Sequence, residues 1–339
     1  MTIMKSEIAS RSTEEEALPV TLADVEKAAA RISGRVTRTP LVYSGTLSER
    51  TGQPIHLKLE TRQPIGAFKL RGAMNAILSL DETARKRGLV AASTGNHGRA
   101  VAYAARELGV SATICMSSLV PANKVEAIRL LGAEIHIVGR AQDDAQEEAE
   151  RLTASRGLTP IPAFDDGDVV AGQGTIGLEI VEALPDLATV LVPLSGGGLA
   201  GGIAVAVKAL KPEALVIGIS MERGAAMHAA IAAGKPVAIR EEETLADSLG
   251  GGIGLSNHVT FGLCRDLLDD IVLLTEDEIA EGIRHAARQE DITVEGAGAV
   301  GIAAILADKI ALSGPTAVII SGGNIDPILH QKIVAEAAI

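Results

Sequence analysis

A chain of 339 residues, 47% of them hydrophobic, is long enough to bury more than one core, so two lobes are expected. Its net charge of −12 repels phosphate backbones and anionic bilayers, and an aromatic content of 1% with no Trp leaves no stacking platform, so a small molecule is the expected partner rather than nucleic acid or membrane. Cys115 and Cys264 are the only cysteines, too few for a disulfide framework and without CxxC spacing, which fits a reducing, cytoplasmic setting.

Residues 1–19 carry Lys5, Arg11 and Glu14 to Glu16 with no apolar stretch, and read as a flexible arm rather than a signal peptide. Thr21 then caps a helix opening at Leu22, with Asp24 placed for a capping box. Beyond it, short β-branched runs alternate with helical patterns, as in parallel α/β units. Strands are expected over 55–59, 89–92, 112–116 and 134–138, and helices over 69–80, 101–108, 121–131 and 142–155. After Pro160 and Pro162 come helices over 175–183, 202–210, 276–288 and 297–307, and strands over 190–192, 215–219, 271–274 and 317–320. The block 86–160 reads as a small domain; 20–85 with 161–339 reads as a large one. The longest uncharged run, 187–207, is broken by Pro193 and five glycines, and is expected to form strand, loop and helix rather than a membrane span.

Four stretches carry chemistry. In Gly66-Ala67-Phe68-Lys69-Leu70-Arg71-Gly72, burial of Lys69 beside Phe68 and Leu70 would penalise the ammonium form and free the amine as a nucleophile. On its own such a lysine is more often a surface residue. Ser93-Thr94-Gly95-Asn96-His97-Gly98 sits on a strand-to-helix turn, where the Asn96 amide and neighbouring N–H groups suit an anionic ligand. A ligand-free turn explains it as well. Ser195-Gly196-Gly197-Gly198-Leu199 follows a strand and opens a helix, a ready phosphate site. Gly196, Gly198 and Gly201 also satisfy GxGxxG, with Glu222 about a strand further on, which keeps a dinucleotide-binding dehydrogenase open. The pattern is cheap in a chain of 36 glycines: Gly296, Gly298 and Gly301 repeat it, and there glycine packing is the expectation. The fourth stretch is Ser321-Gly322-Gly323-Asn324, at the end of a strand. The seven histidines show no metal spacing, and no GxSxG elbow is present.

In this order the four stretches resemble the fold-type II pyridoxal phosphate (PLP) enzymes, specifically the serine/threonine dehydratase and serine racemase family, whose signatures are a Ser-Phe-Lys-x-Arg-Gly lysine motif, a Gly-Asn-His turn, a Gly-rich phosphate loop and a late Ser-Gly-Gly-Asn. The resemblance implies a two-domain α/β fold like the tryptophan synthase β chain, with parallel-rich twisted sheets flanked by helices, and a homodimer. It implies PLP held as a Schiff base on Lys69, with Phe68, Asn96, Ser195, Gly196, Gly197, Gly198, Leu199 and Ser321 around it and Ser321 facing the pyridine nitrogen. Ser93, Thr94, Gly95, Asn96 and His97 become the substrate carboxylate loop. The implied reaction is a β-elimination in which the Lys69 amine takes the α-proton, the β-hydroxyl leaves as water, and a keto acid and ammonia are released.

This chain departs from the family pattern at several positions. Ala67 replaces the usual Ser, Arg99 replaces a frequent Gln, and Thr94 stands where dehydratases often have Ala and racemases Ser. Thr94 is thus the candidate second acid/base, and racemisation is the minor alternative. Arg99 is a candidate for binding a second acidic or acylated substrate arm, or else a solvated helix residue. The Ser-Thr-Gly-Asn-His-Gly-Arg and Ser-Met-Glu-Arg-Gly-Ala-Ala-Met segments look like the threonine-dehydratase-like proteins associated with hydroxyectoine utilisation, which implies an unusual substrate. Ser220 and Ala226 occupy the positions where many relatives bind a divalent cation, so no metal is expected. The chain ends about a helix after Asn324, and no C-terminal regulatory domain is expected. The rivals from other classes are a nicotinamide-dependent dehydrogenase and a catalytically silent amino-acid-binding protein of the same fold.

Overall fold

The computed structural model describes residues 18–336 apart from positions 94 and 121, with only the backbone at 122 and 123. Thr94 and all but the end of the expected N-terminal arm lie outside the described residues.

The described residues form ten strands: β1 (Leu41–Ser44), β2 (Ile55–Leu59), β3 (Leu89–Ala92), β4 (Ala112–Met116), β5 (Glu134–Ile137), β6 (Thr159–Pro160), β7 (Thr189–Pro193), β8 (Leu215–Met221), β9 (Asp270–Leu274) and β10 (Thr316–Ile320). They make two sheets, one in the order β1-β2-β10-β7-β8-β9 and one in the order β5-β4-β3-β6. Every pairing is parallel except that of the edge strand β1 with β2. All five residues of β7 and of β10 are buried, as expected for strands covered by helices on both faces. No helix among the described residues is long and apolar enough to cross a membrane.

Three helices hold the two sheets together. Lys69–Ser79 packs on Gly167–Ala183, which packs on Gly198–Leu210. These contacts are backbone to backbone: a Cβ on Gly172 would come within 2.7 Å of the Gly72 Cα, and one on Gly202 within 2.4 Å of the Val170 carbonyl. Glycine is what allows the approach. The other face of Lys69–Ser79 shares one apolar core, through Ala73, Met74 and Ile77, with Leu89, Ile114 and Val101 of the four-stranded sheet and its helix. The lysine helix is therefore common ground between the two sheets, although its sequence precedes the smaller one.

Several elements start earlier than the sequence pattern indicates: the helices expected at 101, 175 and 202 begin at Asn96, Gly167 and Gly198. Their first turns are rich in glycine and polar residues, with little intrinsic helix preference, and tertiary packing holds them helical. The Asp24 carboxylate accepts from both the N–H (3.0 Å) and the hydroxyl (2.6 Å) of Thr21, so the first helix starts at Leu22 as expected.

Candidate active site

The lysine helix opens at Lys69 because the segment before it is pinned to the end of β10. The Phe68 N–H donates to the Ser321 carbonyl (2.9 Å), Ala67 and Gly322 form an isolated bridge, and the Gly323 N–H donates to the Gly66 carbonyl (3.0 Å). Two distant motifs are thus joined through their backbones, and Lys69 and Ser321 line the same cavity of about 250 Å³.

Within it the Lys69 Nζ donates to the Ala163 carbonyl (2.6 Å) and lies 5.3 Å from the centre of the Phe68 ring. Among the described residues no carboxylate reaches it, and burial lowers its pKa to about 8. The amine is uncharged over a range in which an ordinary lysine is an ammonium ion.

The glycine stretch forms the opposite wall. Gly197 has φ 88° and caps the helix Gly198–Leu210, whose first N–H groups are free of intrahelical partners. A Cβ on Gly196 would lie 2.5 Å from the Phe164 ring, and one on Gly197 2.7 Å from Met227, so the cradle exists only with glycine.

Ser93, Gly95, Asn96 and His97 line the same cavity at the start of the helix Asn96–Leu108. The Asn96 Nδ2 donates to Glu295 Oε1 (2.8 Å), and its Oδ1 accepts from Asn324 Nδ2 (2.6 Å). His97 bonds the Ile161 carbonyl through Nε2 (2.8 Å); burial, followed by repulsion from Lys69, drives its pKa down to about 3, so it is neutral. Glu295 is moved the other way, up to about 7, first by burial and then by Asp247, against the pull of the Asn96 and Asn324 hydrogen bonds.

Phe68, Ser195, Gly196, Gly197, Gly198 and Leu199 line this cavity with Lys69, Asn96 and Ser321. Arg99 does not. It lines a separate cavity with Tyr103, Arg106 and Asn324, while its charge interacts with Glu295 of the Lys69 cavity. Glu222 also lies elsewhere, 3.9 Å from Lys309, which leaves the GxGxxG match without its ribose ligand. The second GxGxxG is packing: Gly298 and Gly301 lie against Gly322 and Val318. Sequence reasoning missed Phe164, the backstop of the glycine loop, and Glu295, the partner of Asn96. The one local signal at Glu295 is an acidic residue at the N-cap of the helix Gly296–Leu306, where such residues are common for structural reasons.

Two residues beyond Lys69, the Arg71 side chain is fully buried. Its Nε and one terminal nitrogen bind Glu60 (2.8 and 2.8 Å), and its terminal nitrogens bind Glu179 (2.7 and 2.9 Å), which also accepts from Lys58 (2.5 Å). Two cations and two anions balance one another and tie the lysine helix to β2 and to Gly167–Ala183.

A buried amine of low pKa, a backbone cradle for phosphate and a hydroxyl at a strand end make up the donor set that pyridoxal phosphate requires. The sequence matches the pyridoxal-phosphate dependent enzymes over residues 32–323. The chain belongs to that family. This pyridoxal-phosphate enzyme is 59% identical over 316 residues to a putative threonine dehydratase of Sinorhizobium fredii, covering 93% of this chain and 95% of that one. It is 43% identical to an L-threonine ammonia-lyase of Thermotoga maritima, covering 93% and 78%. Its fold superposes on the structure of maize serine racemase with a TM-score of 0.88 at 32% identity, covering 94% and 98%. The enzyme is a pyridoxal-phosphate-dependent lyase of the dehydratase kind, and the dinucleotide reading of Gly196 to Gly201 is corrected accordingly.

Proposed function

We propose that the enzyme removes water from a small β-hydroxy amino acid, with threonine and serine the simplest, to give a 2-keto acid and ammonia. The observation that carries this is the Lys69 amine, unpaired with any carboxylate of the described residues and sharing one cavity with the Asn96 turn and the glycine cradle. Bound pyridoxal phosphate supplies the electron sink that acidifies the substrate's α-carbon. The chain's residues do the rest. Free N–H groups at the start of Gly198–Leu210 would hold the phosphate, with Ser195 to Leu199 shaping the loop, and Phe68, Asn96 and Ser321 would hold the ring, Ser321 at its nitrogen. Ser93, Thr94, Gly95, Asn96 and His97 receive the substrate carboxylate, and Lys69 Nζ takes the α-proton. The β-hydroxyl leaves with a proton as water, and hydrolysis of the unsaturated amine yields the keto acid and ammonia.

A second reading has support in the polar residues Lys124, Gln142, Asp247 and Ser248 of the cavity lining, which would meet a longer substrate side chain. A hydroxylated diaminobutyrate from hydroxyectoine breakdown fits this reading. Ammonia and keto acid release from threonine, serine, hydroxyaspartate and that diamino acid separates the readings. A kcat/KM for threonine at least ~10-fold above the others supports the first, the reverse order supports the second, and no ammonia from any sinks both. A cytoplasmic homodimer is part of the proposal; both cysteines are buried, with their thiol pKa values pushed up to about 11 and 12 by burial, as suits a reducing setting. Sedimentation of a monomer would overturn the dimer.

A further inference from the structure

The Asn96 amide is gripped from both sides. Its nitrogen donates to Glu295 Oε1 (2.8 Å), while its oxygen accepts from the Asn324 side-chain nitrogen (2.6 Å), which also donates to the Ile65 carbonyl (2.9 Å). The second Glu295 oxygen accepts from the Asn324 backbone N–H (3.2 Å). Each Glu295 oxygen takes one N–H and the Ile65 carbonyl can only accept, so with Glu295 ionised a single orientation of the two amides satisfies every bond. Turning Asn96 over would set its oxygen against a carboxylate in a buried site, where an unmet polar group is costly. Glu295 is 4% exposed and Asn96 9%, so water does not relieve the mismatch.

We infer that Glu295 and Asn324 are positioning residues that clamp the Asn96 amide, so that its second N–H is presented to the cavity and to the cofactor held there. The inference rests on the pyridoxal phosphate reading of the site. Glu295 acts through Asn96: one amide hydrogen is spent on the carboxylate, and the other keeps a fixed direction because the first does. Glutamine at 295 would keep the volume but offer one acceptor where two N–H groups now arrive, setting its own NH₂ against one of them.

The test is a thermodynamic cycle on the dissociation constant of pyridoxal phosphate, measured by titrating apoprotein and following the visible absorbance of the bound cofactor. Glu295→Gln and Asn96→Ala should each weaken binding ~10-fold, the scale of one lost charge-assisted hydrogen bond. With Asn96→Ala already in place, Glu295→Gln should add less than ~2-fold, because the amide it orients is gone. A residue that merely supports the fold would give additive losses, and a further ~10-fold in the double variant overturns the clamp. Should Glu295→Gln fail to fold by circular dichroism, Glu295→Asp, which keeps the carboxyl group, goes through the same cycle; its smaller loss must also vanish without the Asn96 amide, and persistence overturns the inference. Wild-type protein that takes up no pyridoxal phosphate sinks the functional reading itself, whereas additive losses with normal uptake sink only the clamp.

Discussion

Lys69 and Arg71 stand two residues apart on the first turn of one helix, and the fold treats them in opposite ways. Burial alone would lower the pKa of each. For Arg71, Glu60 and then Glu179 outweigh burial and raise it, so the guanidinium stays charged and immobile. Among the described residues Lys69 receives a carbonyl and an aromatic ring but no carboxylate, and falls to about 8. Where a buried cation is paired it becomes a strut; where the pairing is withheld it becomes a reagent. The strut sits next to the reagent, and four charged side chains hold still the backbone from which the amine projects.

The sharpest way to break this contrast is to remove the reagent. Lys69→Ala should lower turnover by ~10³-fold or more and abolish cofactor attachment, seen in the visible spectrum, while the protein stays folded. Removing the strut should do the reverse. Arg71→Met leaves Glu60 buried without its guanidinium and Glu179 with Lys58 alone, and should cost ~3–5 kcal/mol of stability in denaturant unfolding of the apoprotein. A loss below ~1 kcal/mol would mean that the cluster does not anchor the lysine helix.

Between these lies the wall that both residues face or support. Gly196→Ala drives a methyl into the Phe164 ring and should weaken pyridoxal phosphate binding ~10-fold or more, and Phe164→Leu in the same chain should restore part of it. Equal affinity in all three proteins would mean that the cradle is not the phosphate site.

The smallest effect is the most specific to the contrast. Because the Lys69 pKa is lowered on folding, the unfolded chain binds more protons between about pH 8 and the ordinary lysine value, so apoprotein stability should rise with pH across that window. Lys69→Met should flatten the rise and stabilise the apoprotein at pH 7 by ~1–3 kcal/mol. In parallel, the rate at which an amine-specific reagent modifies Lys69 should climb through about pH 8. Arg71 keeps its charge throughout and should add no slope there.

The alternation of β-branched runs with helical patterns gave the α/β class, and the order of four short motifs pointed to pyridoxal phosphate, because these are properties of residues adjacent in the chain. Helix starts were less legible. At Asn96, Gly167 and Gly198 the first turns carry polar residues and glycines without apolar periodicity, and only packing makes them helical. Arg99 shows how little local order says about direction. It follows the Asn96 turn by three residues, yet the helical rotation turns it into another cavity.

Residue order along the chain is enough to say which side chains are available for chemistry and which class of fold carries them. Packing in space settles that, among the described residues, Lys69 meets no carboxylate while Arg71 meets two, that Phe164 backs the glycine loop, and that Glu295 meets Asn96 across 199 positions of chain. The reason is physical. Charge pairing and burial depend on distance in space, and one sheet end gathers side chains whose separation along the chain carries no record of their contact.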